Sequence, residues 1–182
     1  MIRRPVLVVA LVALIAGLVV LPASAHHGPP YSEGPDHTFG EMVEYPLVFP
    51  VQGAYSWRHD GFEDWRCCDP GEIHHGQDIM AERGTPVVAA ADATVIWVGT
   101  NCCSLFLRHD DGWETWYIHL DNDSPGTDDG LGWGIAEGIE RGSRVDAGQL
   151  IGWVGDSGSA EDTPPHLHFE LLDPNDTIVN PY

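Results

Sequence analysis

Five residues in three separate stretches carry side chains able to hold a metal and move protons: His74 with Asp78, His119, and His166 with His168. The last pair lies in Pro165-His166-Leu167-His168-Phe169-Glu170. Read as a β-strand, this run sends His166, His168 and Glu170 to one face and Leu167, Phe169 and Leu171 to the other. The two imidazoles then sit roughly 6–7 Å apart along the backbone, from a rise of about 3.3 Å per residue. One can bind a metal while its neighbour reaches a substrate held there, and the apolar face anchors both to a core. A lone H-x-H is a weak signal, because histidines often serve as half-buried strand residues. Three separate histidine positions call for one explanation.

His74 and Asp78 need a further device. In an extended strand their Cα atoms would be about 13 Å apart, too far to share an ion. A helix is disfavoured by Gly76 and by the shortness of the segment. The remaining solution is a tight bend at His75-Gly76, where glycine supplies backbone angles that other residues avoid. With His168 this makes a two-histidine, one-carboxylate set with an open fourth position. That is the composition of a catalytic zinc site, not of a closed structural one. His119 and His166 are then left for protons and charge.

The elements that must position these residues read as short strands separated by Gly, Asp and Pro from Pro46 onward. Val87–Ala91 and Thr94–Val98 are β-branched and apolar. Ser104–His109 leads through Asp110-Asp111-Gly112 into Glu114–Leu120, the pattern of a β-hairpin. In its second arm Thr115, Tyr117 and His119 are expected on one face, Trp116, Ile118 and Leu120 on the other. Arg144–Gly155 reads as two short strands broken at Asp146-Ala147-Gly148. No segment keeps a helical period over ten residues. The expected fold is mainly β: a single antiparallel sheet or sandwich domain with a metal-lined groove. Between Asp121 and Gly142 lies a long loop whose spacing fails the calcium-loop pattern, so it reads as a solvated acidic loop.

The chain has 182 residues, which suits one domain plus processing segments. Arg3-Arg4, the apolar run Val6–Leu21 and Ala23-Ser24-Ala25 form a signal peptide over residues 1–25. The run is shorter than the ~20 residues a spanning helix needs, so the mature protein is expected to be secreted and free of the membrane. Two of eight basic residues leave with this leader while all 28 acidic residues stay, so six face 28, a net −22, with no lysine. Such a surface repels nucleic acid and anionic headgroups. Residues 26–45 read as an irregular lead-in, either a solvated tail or a segment whose His26, His27 and His37 reach an open coordination position and cover the groove. Cys67-Cys68 and Cys102-Cys103 are two vicinal pairs in a secreted chain, where oxidation is expected. Bonds between neighbours need a strained ring, which leaves two pairings, both joining 67/68 to 102/103.

Together these residues resemble the lysostaphin/LytM-type zinc endopeptidases, the duplicated-hybrid-motif peptidases. The likeness rests on His74-His75-Gly76-Gln77-Asp78, on Tyr117-Ile118-His119-Leu120, and on Gly155-Asp156-Ser157-Gly158 followed by Pro165 to Glu170. Ser56-Trp57-Arg58, Gly84-Thr85-Pro86-Val87 and Asn180-Pro181 flank them in the same order. It covers about residues 46–182, the expected zinc metalloendopeptidase domain. The resemblance implies His74, Asp78 and His168 as ligands of one zinc ion per chain. It implies His119 and His166 as the histidines that activate water and stabilise the oxyanion. It further implies a monomeric enzyme at the cell wall acting on peptidoglycan peptides, their cross-links or bridges. Three features depart from the pattern: Cys102-Cys103 before Ser104, the length of the 121–142 loop, and Gln77 at a commonly apolar position. Two rival readings remain at this level, a catalytically silent wall-peptide-binding regulator and a secreted metal-binding protein suggested by ten histidines.

Overall fold

The computed structural model of the chain describes residues 37–56, 61–65, 73–99 and 103–181. The expected signal segment 1–25, His26, His27, Trp57, Arg58, Cys67, Cys68 and Cys102 lie outside the described residues. Strands dominate: β1 (Tyr55–Ser56), β2 (Gln77–Ala81), β3 (Pro86–Val88), β4 (Ala93–Gly99), β5 (Ser104–His109), β6 (Glu114–Ile118), β7 (Arg144–Val145), β8 (Leu150–Trp153), β9 (His166–Leu172) and β10 (Ile178–Val179). A single 3-10 turn at Gly158–Ala160 is the only helical element among the described residues. The fold is mainly β and antiparallel, as the short apolar runs require.

The large sheet runs β1-β2-β9-β6-β5-β4-β7, with β10 also pairing β9, and a second sheet joins β3 to β8. β9 lies inside the large sheet, paired by β2 on one side and β6 on the other, which is why an HLHFE run can be anchored on one face and open on the other. Registers put Ile79 opposite Leu167, Gln77 opposite Phe169 and Tyr117 opposite Phe169. Residues opposite each other share a face, so Ile79, Leu105, Leu107, Tyr117, Leu167 and Phe169 form one apolar floor. The β3–β8 sheet closes over it through Val87, Ala89, Ile151 and Val154, all essentially inaccessible. The other face of β9 carries His166 and His168.

The loop from Asp121 to Gly142 is not simply a solvated acidic loop. Asp123 is buried and accepts from Arg83 Nη1, which also donates to Thr127 O and to Asp128 Oδ1, both at 3.1 Å. Ile135 bridges to Gly152, and Gly132 N donates to Asn122 O at 2.6 Å. The loop is pinned because one guanidinium ties Asp123 to Asp128 and glycines let its backbone close tightly. At Gly134, for example, a Cβ would fall 2.0 Å from Asp121 O.

Residues 37–45 follow the domain surface. Gly40 N donates to Ile178 O, Asn180 N to Glu41 O, and Tyr45 stacks on Trp113 with centroids 4.4 Å apart. His37 does not reach the histidine cluster. It packs on Trp113 at 5.5 Å and lies 3.6 Å from Glu41. Local aromatic contact and a carboxylate four residues on hold it there. No helix among the described residues is long and apolar enough to cross a membrane.

Candidate metal centre

β2 and β9 pair so that Asp78 stands opposite His168 and Met80 opposite His166. The carboxylate and the two strand histidines therefore share the face away from the core. His74 joins them through a bend at Gly76 immediately before β2. The bend was expected, but not its cause. Gly76 does not adopt left-handed backbone angles; it is needed because a Cβ would lie 2.4 Å from Phe169 O and 3.0 Å from His168 Nε2. Glycine here permits close approach, not an unusual torsion.

Three atoms converge. His74 Nε2 lies 2.7 Å from His168 Nδ1 and 3.0 Å from Asp78 Oδ1, and His168 Nδ1 lies 3.1 Å from the same oxygen. The opposite ring nitrogens are committed as donors. His74 Nδ1–H donates to Gly61 O at 2.7 Å, and His168 Nε2–H donates to Glu170 Oε1 at 2.8 Å. In the neutral imidazole one nitrogen donates and the other accepts, so lone pairs of both rings point at one another and at a carboxylate. Three acceptors at such distances repel unless positive charge sits among them. The donor set, spacing and outer hydrogen bonds fit a divalent cation such as zinc.

Burial opposes the charged form of Asp78, yet His168 and His74 hold its carboxyl well below the usual range. Burial also opposes protonation of His168, yet Asp78 and Glu170 raise it.

His119 and His166 complete the cluster without entering the trio. Their rings meet edge-on at 5.0 Å, and His119 lies 5.9 Å from the His168 ring. His166 Nε2 is 3.8 Å from Asp78 Oδ1, while its Nδ1 donates to Pro164 O at 2.9 Å. His119 Nδ1 donates to Ser157 O at 2.8 Å. Each ring thus keeps an Nε2 lone pair for chemistry. Burial pushes the His119 imidazole down to about 4, so it is neutral near pH 7.

The expected alternation failed at His119. Tyr117 lies in the core at 0% exposure, edge-on to Phe169 at 5.4 Å, and a continuing strand would bury His119 beside it. Instead β6 ends at Ile118 and His119 takes φ +64. That left-handed residue turns its ring to the His168 face. A non-glycine residue there is strained and must be held by its surroundings. Gly155 does so: its N–H donates to His119 O and its carbonyl accepts from His166 N, both at 3.0 Å. A Cβ at Gly155 would lie 2.3 Å from Asp121 Cα, so only glycine fits between these backbones.

Several supporting residues have no sequence signal of their own. Gly61 O, Ser157 O and Pro164 O act through the main chain. Glu170 was legible as sharing the His168 face, but not as its partner. Gln77 fills its unusual position by accepting from Gly61 N and donating to Asn180 Oδ1, both at 3.0 Å. It thereby steadies the loop that orients His74. His75 turns away from the trio and meets Phe39 edge-on at 5.6 Å.

An antiparallel sheet with two histidines, one carboxylate and two spare imidazoles on one face defines a peptidase-type metal centre. Residues 72–181 match the sequence profile of Peptidase family M23, and the chain belongs to that family. It is 35% identical over 141 residues to the DD-carboxypeptidase/endopeptidase Mpg of Neisseria meningitidis serogroup B, covering 75% of this chain and 27% of that one. It is 30% identical over 143 residues to the L-Ala--D-Glu endopeptidase of Bacillus subtilis, covering 74% and 40%. A zinc-containing peptidase from Vibrio cholerae superposes with a TM-score of 0.55 at 31% identity, covering 72% of this chain and 37% of that one. The chain therefore spans well under two thirds of the length of each.

Proposed function

We propose that the chain is a secreted, monomeric zinc endopeptidase that hydrolyses peptide bonds in bacterial peptidoglycan. The observation that carries this reading is the convergence of His74 Nε2, Asp78 Oδ1 and His168 Nδ1 within 3.1 Å, beside two imidazoles with free Nε2 lone pairs. His74, Asp78 and His168 would hold one zinc ion. Zinc supplies Lewis acidity for the scissile carbonyl and lowers the pKa of water toward about 7. Of His119 and His166, one accepts a proton at Nε2 and returns it to the leaving amine, and the other, once protonated at Nε2, donates to the oxygen that gains charge. Glu170 and Gly61 O keep the ligand rings in the tautomers that present bare nitrogens.

The rest of the face suits an extended substrate. Ile118 stands opposite His168 and Trp116 opposite Glu170. Phe106 stacks on Trp116 at 4.0 Å and 10°, and Trp97, half-exposed, continues the row. A relative from Vibrio cholerae that bears the name peptidoglycan DD-endopeptidase supports the same substrate class here. The leader over 1–25 supports export, and disulfides joining 67/68 to 102/103 would suit an oxidising compartment.

Purified peptidoglycan of known cross-link chemistry, incubated with the zinc-loaded chain and analysed by mass spectrometry, should yield new peptide termini that a chelator abolishes. Intact walls of every chemistry after incubation with zinc-loaded protein would reject the enzyme in favour of a silent binder.

A further inference from the structure

Arg83 has no part in the trio, yet it is the most heavily engaged cation among the described residues. It sits in the turn Glu82–Thr85, closed by Thr85 N to Glu82 O at 3.0 Å and by left-handed Gly84 at φ +80. That turn is zipped to Val154: Gly84 N donates to Val154 O at 2.8 Å and Val154 N to Thr85 O at 2.9 Å. The guanidinium therefore starts beside the segment that continues into Gly155, Asp156 and Ser157. Its Nη2 donates to Asp156 Oδ2 at 2.5 Å and to Asp128 Oδ1 at 3.1 Å. Its Nη1 donates to Asp123, to Asp128 Oδ1 and to Thr127 O.

Two of these carboxylates are nearly inaccessible, Asp123 at 1% and Asp156 at 3%, while Asp128 is 59% exposed. Oxygens of all three lie within 4.8 Å of one another. Without a cation between them, two buried anions would face each other in a medium that screens poorly. The guanidinium's planar fork reaches all three at once, which a point charge does not. Asp156 lies between two groups the histidines depend on. Gly155 ties the main chains of His119 and His166, and Ser157 O receives His119 Nδ1–H.

We propose that Arg83 is a positioning residue: by clamping Asp156 against the loop carboxylates Asp123 and Asp128, it fixes the Gly155–Ser157 backbone that aims His119. This rests on the endopeptidase reading for its effect on turnover, though not for its effect on the His119 hydrogen bond. Arg83→Gln releases Asp156 and sets like charges against each other, so Ser157 O drifts and the His119 ring loses its anchor. Arg83→Lys restores the charge without the fork and recovers part of the effect.

The test uses the zinc-loaded full chain. In the wild type the His119 Nδ1–H proton should give a downfield, slowly exchanging NMR signal; in Arg83→Gln it should vanish or move upfield, and in Arg83→Lys it should return in part. Turnover should fall by about tenfold or more, the scale for partners that orient active groups, with KM and zinc content little changed. A folded Arg83→Gln protein with the wild-type His119 signal, or with its whole loss in KM, overturns the proposal. If Arg83→Gln does not fold, Asp128→Asn removes only the exposed arm and should shift the same signal by less; an unmoved signal overturns it too. A wild type that cleaves no wall would refute the endopeptidase reading alone, because the NMR signal still decides the role of Arg83.

Discussion

His168 Nε2 donates to Glu170 Oε1 across 2.8 Å, from two residues earlier on the same strand. Both side chains leave β9 on one face, so the strand carries a proposed ligand together with the carboxylate that orients it. The bond fixes the ring tautomer, leaving Nδ1 bare toward His74 and Asp78. Glu170→Ala should therefore weaken zinc binding by about 10- to 100-fold, measured by competition with a chromophoric chelator. Glu170→Gln, which still accepts a hydrogen bond, should lose less.

The five site residues should split into two classes. His168→Ala or Asp78→Ala removes a proposed ligand and should abolish zinc binding and turnover together. His119→Ala or His166→Ala should retain zinc but lose roughly two or more orders of magnitude in turnover, the scale of proton-transfer and oxyanion partners. Elemental analysis beside a turnover assay reads both. Near-normal activity in either of the second pair would remove that residue from the mechanism.

Stability should fall in mild acid because of a buried histidine outside the site. His109 Nε2 bonds Thr115 Oγ1 at 2.9 Å and its Nδ1 meets Tyr45 Oη at 2.8 Å. Burial pushes its imidazole from the ordinary 6.5 down to about 4, against the pull of Asp111 and Asp110. Between those values the unfolded chain binds a proton that the folded chain refuses, so stability rises with pH across the window. The contribution is full above about 6.5, declines as pH falls and levels off below about 4, amounting to at most ~3 kcal/mol. Melting temperatures from pH 4 to 7 should show this slope, and His109→Gln should flatten it.

Residues 37–45 bear on the same histidine. A chain beginning at residue 46 loses Tyr45, which stacks on His109 at 5.7 Å as well as on Trp113. Compared with residues 26–182, it should melt lower and show a shallower pH slope. If the lead-in also covers the groove, the shorter chain should be the more active; equal specific activity at equal zinc content would exclude latency.

The cysteines offer a covalent test. Cys103 is buried just before β5, and its carbonyl accepts from Leu120 N at 3.0 Å, next to His119. Peptide mapping of exported protein without reductant should find 67/68 peptides linked to 102/103 peptides. Closing a loop of about 35 residues should contribute roughly 3–4 kcal/mol in the chain-entropy account, so reduction should lower the melting temperature. Free thiols at all four positions would show the pairing to be wrong.

From its own order of residues the chain determined the features that depend on neighbours a few positions away. The faces of His166, His168 and Glu170, the hairpin of β5 and β6, and the necessity of a bend at Gly76 all follow from strand alternation and reach. That His74, Asp78 and His168 could converge was legible for the same reason. What alternation could not say is where a strand stops. His119 leaves the core face because β6 ends one residue earlier, and its φ of +64 is held by Gly155 and Ser157, thirty-six and thirty-eight residues later. The fate of the acidic loop was equally hidden, since Asp123 and Asp128 are bound by Arg83 from a distant turn. The sequence around Gly76 suggests a source of unusual torsions, yet its constraint is the Phe169 carbonyl on another strand. Each of these was decided by tertiary contact, because clashes and ion pairs between distant segments exist only once the sheet has brought them together.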